Sequence, residues 1–160
     1  MKGFEDFLRE LSFFDDLRPE HLGFMASCCK NQVFEPGELI GQEGEDADYF
    51  YVIREGKAAV QIFAPNKGAI TLETLSDGDI IGWSWLFPPY KWNFDIKAIK
   101  KTRTIAMDGK CLRQKCEDNH ELGYLLMKKF SKIMIHRLKA TRLQVLDIYA
   151  ANPPASHAAY

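Results

Sequence analysis

The sequence predicts a mainly β protein, a sandwich or barrel of antiparallel strands with helices before and after it. The spacing of apolar residues changes from helical to alternating at Gln32. Short apolar runs then alternate with turn signals about every eight to twelve residues, the rhythm of antiparallel strands. From Glu121 to Tyr149 the helical spacing returns, and Gly123 is the one breaker in that stretch.

Each element follows from its residues. Phe4, Phe7, Leu8 and Leu11 recur at helix spacing, and Phe13-Phe14-Asp15-Asp16-Leu17 interrupts them. Pro19 opens a second short helix, where its missing N–H would be unpaired anyway, and Leu22, Met25, Ala26 and Cys29 form its stripe. Val33-Phe34 precede the turn Pro36-Gly37. Leu39-Ile40 precede Gly44 and an acidic loop, Glu43 to Asp48. Phe50 to Ile53 read as a strand, Glu55-Gly56 as a tight hairpin turn, and Ala58 to Phe63 as the return strand. Pro65-Asn66-Lys67-Gly68 turn the chain again toward Ile70, Leu72 and Leu75, and Thr102 to Met107 close the β region. Lys110 to Glu117 suit a short helix, and Asp118 or Asn119 can cap the next one.

That last helix, 121–149, would be about 43 Å long. Met127, Phe130, Met134, Leu138, Thr141, Val145 and Ile148 lie on one face, and Leu122, Leu126, Ile133, Ala140 and Leu143 on another. One face can pack on the barrel, but a helix of this length outreaches a barrel. The second face calls for a partner, most simply a second copy of the chain. Met127, Phe130, Met134, Leu138, Thr141 and Val145 are the expected homodimer seam. Residues 1–150 are expected to form one domain and 151–160 a small disordered tail.

The chain is most distinctive between Gly78 and Ala98, GDIIGWSWLFPPYKWNFDIKA. Gly82 permits a sharp bend or a close approach by another group. Trp83 to Phe87 can form one helical turn, which Pro88-Pro89 would stop. Six aromatics fall between 83 and 94, including all three tryptophans of the chain. They either pack a core and lid or line a ligand pocket.

Composition narrows the function. No run approaches the ~20 apolar residues of a membrane span, and the acidic, broken N-terminus does not suit a signal peptide, so a cytoplasmic protein is expected. Cys28, Cys29, Cys111 and Cys116 have neither zinc nor iron–sulfur spacing and are expected to be inert thiols. Residues 1–96 carry 8 Lys and Arg against 17 Asp and Glu, and residues 97–142 carry 13 against 4. The basic residues fall at helical spacing between apolar ones, as on a solvated helix face. The histidines, His21, His120, His136 and His157, all lie on predicted helices or the tail. No metal-ligand set therefore faces the strands, and no nucleophile–base constellation exists. No enzyme activity and no cofactor are expected.

The ordered set of signals resembles the cyclic-nucleotide-binding domain of the catabolite-activator (Crp/Fnr-like) type over residues 4 to about 149. The resemblance rests on FLRELSFFDDLRPEHL, on Gly37, Gly44, Gly56, Gly78 and Gly82, on FYVIREGKAAV, and on MDGKCLRQKC followed by HELGYLLMKKFSKIMIHRL. It implies a β-roll (double-stranded β-helix or jelly roll) with N-terminal helices and a long C-terminal dimerisation helix. It also makes the segment after Gly82 a phosphate-binding cassette. In the family that cassette carries a glutamate for the ribose and an arginine fork for the cyclic phosphate. Here the glutamate position is Trp83, and the Arg-Ser-Ala positions fall on Trp92, Asn93 and Phe94. A segment about one residue shorter brings Lys91 to the arginine's place. Cyclic AMP and cyclic GMP are therefore expected to bind weakly or not at all.

The expected function is a regulatory or sensor module with a divergent, aromatic-rich effector pocket. Trp83, Trp85, Trp92 and Phe94 would stack on the effector, Lys91 would offer a charge, and Ser84 and Asn93 would fix its orientation. The alternative is a ligand-free dimeric scaffold that binds a protein partner. About eleven residues follow Tyr149, too few for a helix-turn-helix. No DNA binding by this chain alone is expected, and no membrane partner.

Overall fold

The structure is a computed structural model that describes residues 3–151. From residue 152 onward the expected tail lies outside the described residues. Two short helices, α1 (Phe4–Glu10) and α2 (Pro19–Ala26), flank a single 3-10 turn, Ser12–Phe14. Eight strands follow: β1 (Cys29–Phe34), β2 (Leu39–Gly41), β3 (Tyr49–Glu55), β4 (Ala58–Ala64), β5 (Gly68–Leu75), β6 (Ile80–Ile81), β7 (Asp95–Ala98) and β8 (Thr102–Asp108). Helices α3 (Gly109–Asp118) and α4 (His120–Ala151) end the described chain.

The strands make two antiparallel four-stranded sheets, ordered β1-β8-β3-β6 and β2-β7-β4-β5. This is the β-roll that the resemblance implies, and it meets the antiparallel reading of the strand pattern. Strand β3 explains how two cores fit around it. Phe50 and Val52 join the core under the helices, while Tyr51 and Ile53 join the core between the sheets. Successive strand side chains point to opposite faces, so a strand covered on both faces reads as an unbroken apolar run, Phe50-Tyr51-Val52-Ile53.

Helix starts follow local chemistry. The Asp108 carboxylate accepts from the Cys111 amide at 2.8 Å and caps α3. Asn119 Oδ1 accepts from the Leu122 amide at 3.1 Å at the start of α4, so Asn119 rather than Asp118 is the cap. Strand β1 begins at Cys29, three residues before the expected change of period. Its register with β8, Cys29 opposite Met107, draws Cys29 out of the α2 stripe.

Two sequence expectations are corrected here. Cys28 and Cys111 are not inert thiols but form a disulfide, with their Cα atoms 5.7 Å apart; Cys29 and Cys116 remain free. Phe130 is not a seam residue. It is fully buried within its own chain, with edge-on ring contacts to Phe13, Phe50 and Trp85. On the rest of that face Met127, Leu138 and Val145 are exposed, Leu138 to 69%, whereas Thr141 is half-buried and Met134 is half-buried against the core. Leu122, Leu126 and Phe130, with Ile133 beside them, pack α4 on the body.

Candidate functional site

The segment from Gly82 to Phe94 folds back between the two sheets and α4. Gly82 has φ 92°, in the left-handed region that favours glycine. A 3-10 turn, Ser84–Leu86, follows Trp83. The Ser84 hydroxyl is buried and accepts from Asn93 Nδ2 at 3.1 Å, which closes the segment on itself. Backbone bonds pin the return path to the acidic loop. The Gly44 amide donates to the Trp92 carbonyl at 3.0 Å and the Trp92 amide to the Glu45 carbonyl at 2.9 Å.

The three tryptophans have three different environments. Trp85 is fully buried in the core beneath the helices and stacks on Phe50 at 5.0 Å. The sequence offers it as a ligand-stacking residue; its burial on the helix side of the sheet removes it from that role. Trp92 enters the roll between the two sheets and lies parallel to Tyr51, with 6.5 Å between ring centroids. A β-carbon at Gly41 or Gly82 would stand 2.6 Å from the Trp92 ring, so the indole fills the space those glycines leave. Burial holds the neighbouring Tyr51 hydroxyl in its neutral form, with its pKa pushed up to about 12.

Trp83 is half-buried and meets Phe94 edge-on at 5.7 Å. Over both rings lies the guanidinium of Arg137 from α4, 5.2 Å from Trp83 and 5.4 Å from Phe94. The Arg137 side chain is 5% exposed, and its Nε donates to Glu73 Oε2 at 2.7 Å. The other Glu73 oxygen sits 3.1 Å from His136 Nε2. A planar cation between an aromatic pair and a carboxylate is a complete recognition site for a guanidinium, and the protein supplies both halves.

Lys91 does not take the place of the arginine fork. Its ammonium pairs with the Asp46 carboxylate at the exposed rim, where residues 46 and 91 form an isolated antiparallel bridge. The hydrogen bond to Asp46 raises the Lys91 pKa above its ordinary value. The sequence did not single out Arg137, Glu73 or Tyr51 as site residues. A usable signal existed for Arg137, which lies seven residues after Phe130, two helical turns along the packed stripe.

Beside this cluster runs an open groove of about 590 Å³ between the Ser12–Asp16 turn and α4. Its walls include Asp16, Glu73, Lys129, Lys132, His136 and Arg137. Lys129 is buried and pairs with Asp16, which holds the Asp16 carboxyl below its ordinary value. Among the described residues no cluster of three or more His, Cys, Asp or Glu could hold a metal ion, and no helix is long and apolar enough to cross a membrane.

Comparisons with known proteins bear on the whole arrangement. The family model "Cyclic nucleotide-binding domain" matches residues 31–119. A CRP-like cAMP-activated global transcriptional regulator of Mycobacterium tuberculosis is 23% identical over 150 residues; the alignment covers 94% of this chain and 65% of the regulator. A cAMP-dependent protein kinase regulatory subunit of Yarrowia lipolytica is 31% identical over 109 residues, covering 66% of this chain and 28% of the subunit. The chain thus spans less than two thirds of these relatives. A solved structure from Geobacter metallireducens GS-15, classed as a cyclic nucleotide-binding protein, superposes with a TM-score of 0.75 at 28% identity. That match covers 86% of this chain and 99% of that one.

Proposed function

The chain belongs to the cyclic nucleotide-binding domain family, and from that premise we propose that it is a non-enzymatic regulatory module whose nucleotide pocket is filled by its own side chains. The observation that supports this is Trp92, wedged inside the roll against Gly41, Gly82 and Tyr51. A cyclic phosphate needs a desolvated cavity and a charge-assisted fork, each such hydrogen bond being worth about 1.5–3 kcal/mol. Here the interior holds an indole, and the nearby cation, Lys91, stays on Asp46. Regulation then passes through α4, whose exposed apolar side chains Met127, Leu138 and Val145, bordered by the half-buried Met134 and Thr141, pair with a second copy or with a partner protein.

A second reading is favoured by the Trp83–Phe94 pair. Its rings already hold a flat cation, so a small planar effector that displaces Arg137 would find stacking surface and the Glu73 carboxylate ready. Thermal denaturation with saturating cyclic AMP and cyclic GMP tests the first reading. A ligand at 100 times its dissociation constant adds about 2.7 kcal/mol of stability, so the expected result is no rise in Tm with millimolar nucleotide. Micromolar binding to either nucleotide would show that the interior opens and that Trp92 is not a plug.

A further inference from the structure

We propose that the Cys28–Cys111 disulfide is a reversible redox tether that sets how firmly α3 holds the segment Gly82–Phe94. The backbone brings the two cysteines together without help from the bond. The Asp108 amide donates to the Cys28 carbonyl at 2.9 Å, and Cys29 lies opposite Met107 in the β1–β8 ladder. The Asp108 carboxylate then accepts from the Cys111 amide and fixes the first turn of α3. These contacts hold the Cα atoms 5.7 Å apart, an ordinary separation for a disulfide. Both the oxidised and the reduced pair therefore fit the same fold.

The proposed exchange enters from the less buried side of the bond. Cys28 is buried, whereas Cys111 is partly exposed. The thiolate of reduced glutathione attacks Cys111 Sγ; the protein S–S bond breaks, a mixed disulfide forms at Cys111, and Cys28 leaves as a thiolate. A second glutathione thiolate attacks the glutathione sulfur of that mixed disulfide and releases Cys111 as a thiolate. The protons that the two glutathione thiols gave up end on Cys28 and Cys111, and one oxidised glutathione departs. Cys29 and Cys116 do not intercept the exchange. Burial pushes their thiols up to about 12 and about 11, so they carry little thiolate near neutral pH.

Helix α3 carries the effect to the site. Arg113, two residues after Cys111, donates from Nη1 to the Trp85 carbonyl at 2.6 Å, and its guanidinium lies 3.9 Å over the Tyr90 ring. One side chain thus grips the segment on both sides of Pro88-Pro89. With the disulfide closed, the first turn of α3 is fixed covalently to the end of the α2–β1 turn. With it open, hydrogen bonds alone hold that turn.

Hydrogen exchange of the full chain in oxidised and in reduced glutathione tests the tether. Reduction is expected to speed exchange of amides 110–118, 84–87 and 90 by about tenfold or more, while β3 and β8 stay protected. Cys28→Ser and Cys111→Ser should each give the reduced pattern in both buffers. The double variant Cys29→Ser with Cys116→Ser should still respond. Equal exchange in the two buffers would overturn the proposal. A bond that resists excess reduced glutathione would do the same, since it would then be a permanent crosslink. Faster exchange throughout β3 and β8 would mark a structural staple instead of a tether.

Discussion

The indole of Trp92 and the backbone of Gly82 are in contact so close that a β-carbon at position 82 would stand 2.6 Å from the ring. Gly82 also has a positive φ. Gly82→Ala should therefore destabilise the protein by about 2–4 kcal/mol, combining overpacking with backbone strain. Trp92→Leu should relieve part of that cost, so a double-mutant cycle read by urea denaturation should show coupling. Additive effects would mean that the two positions do not share the same space.

Arg137 is expected to act as a tethered occupant of the Trp83–Phe94 pair. Its removal takes away the Nε hydrogen bond to Glu73 and leaves His136 beside that carboxylate, and loss of a charged hydrogen bond in a buried setting costs about 1.5–3 kcal/mol. Methylguanidine should restore part of the lost Tm to Arg137→Ala and leave the wild type unchanged. An absence of rescue would indicate that Arg137 packs there without specific recognition.

Light scattering at micromolar concentration should give the mass of two chains. Leu138, 69% exposed, and Val145, 46% exposed, are apolar seam side chains two helical turns apart on α4. Leu138→Glu combined with Val145→Glu should yield monomers with the fold intact by circular dichroism. A dimer that survives both would place the seam elsewhere.

The Asp16–Lys129 pair predicts a pH dependence. Lys129 lowers the Asp16 pKa below its ordinary value, first through the hydrogen bond and then through its charge. A carboxyl with a depressed folded-state pKa stabilises the fold above its unfolded pKa, and that contribution disappears as pH falls through the folded value. Asp16→Asn should lower Tm near pH 7 and have little effect near pH 2. An equal effect at both would mean that the carboxylate charge contributes nothing.

The fold was legible because its signals are local. The change of period, the glycine and proline turns and the breaker-poor helix each follow from a few neighbouring residues. The residues of the candidate segment were legible too, but their environments were not. Trp83, Trp85 and Trp92 look alike in sequence; the pleat and the 3-10 turn send one under α4, one into the helix-side core and one into the roll. Arg137 stayed hidden because its only local signal is its spacing from Phe130, while the Trp83–Phe94 pair and Glu73 that hold it come from distant parts of the chain. The disulfide stayed hidden because its cysteines are 83 residues apart and meet only through the β1–β8 register.

Helix α4 has mechanical leverage. Its 32 residues span about 48 Å. Arg137 lies roughly halfway along it, and Gln144, which donates to the Thr71 carbonyl at 3.3 Å, is one of its last contacts with the body. A tilt of about 10° about the Asn119 cap would swing the far end by about 8 Å while moving the Arg137 guanidinium by about half as much. Breaking one ion pair near the middle of the rod would thus be magnified at its tip, where a displacement of that size is enough to open or close contact with another molecule.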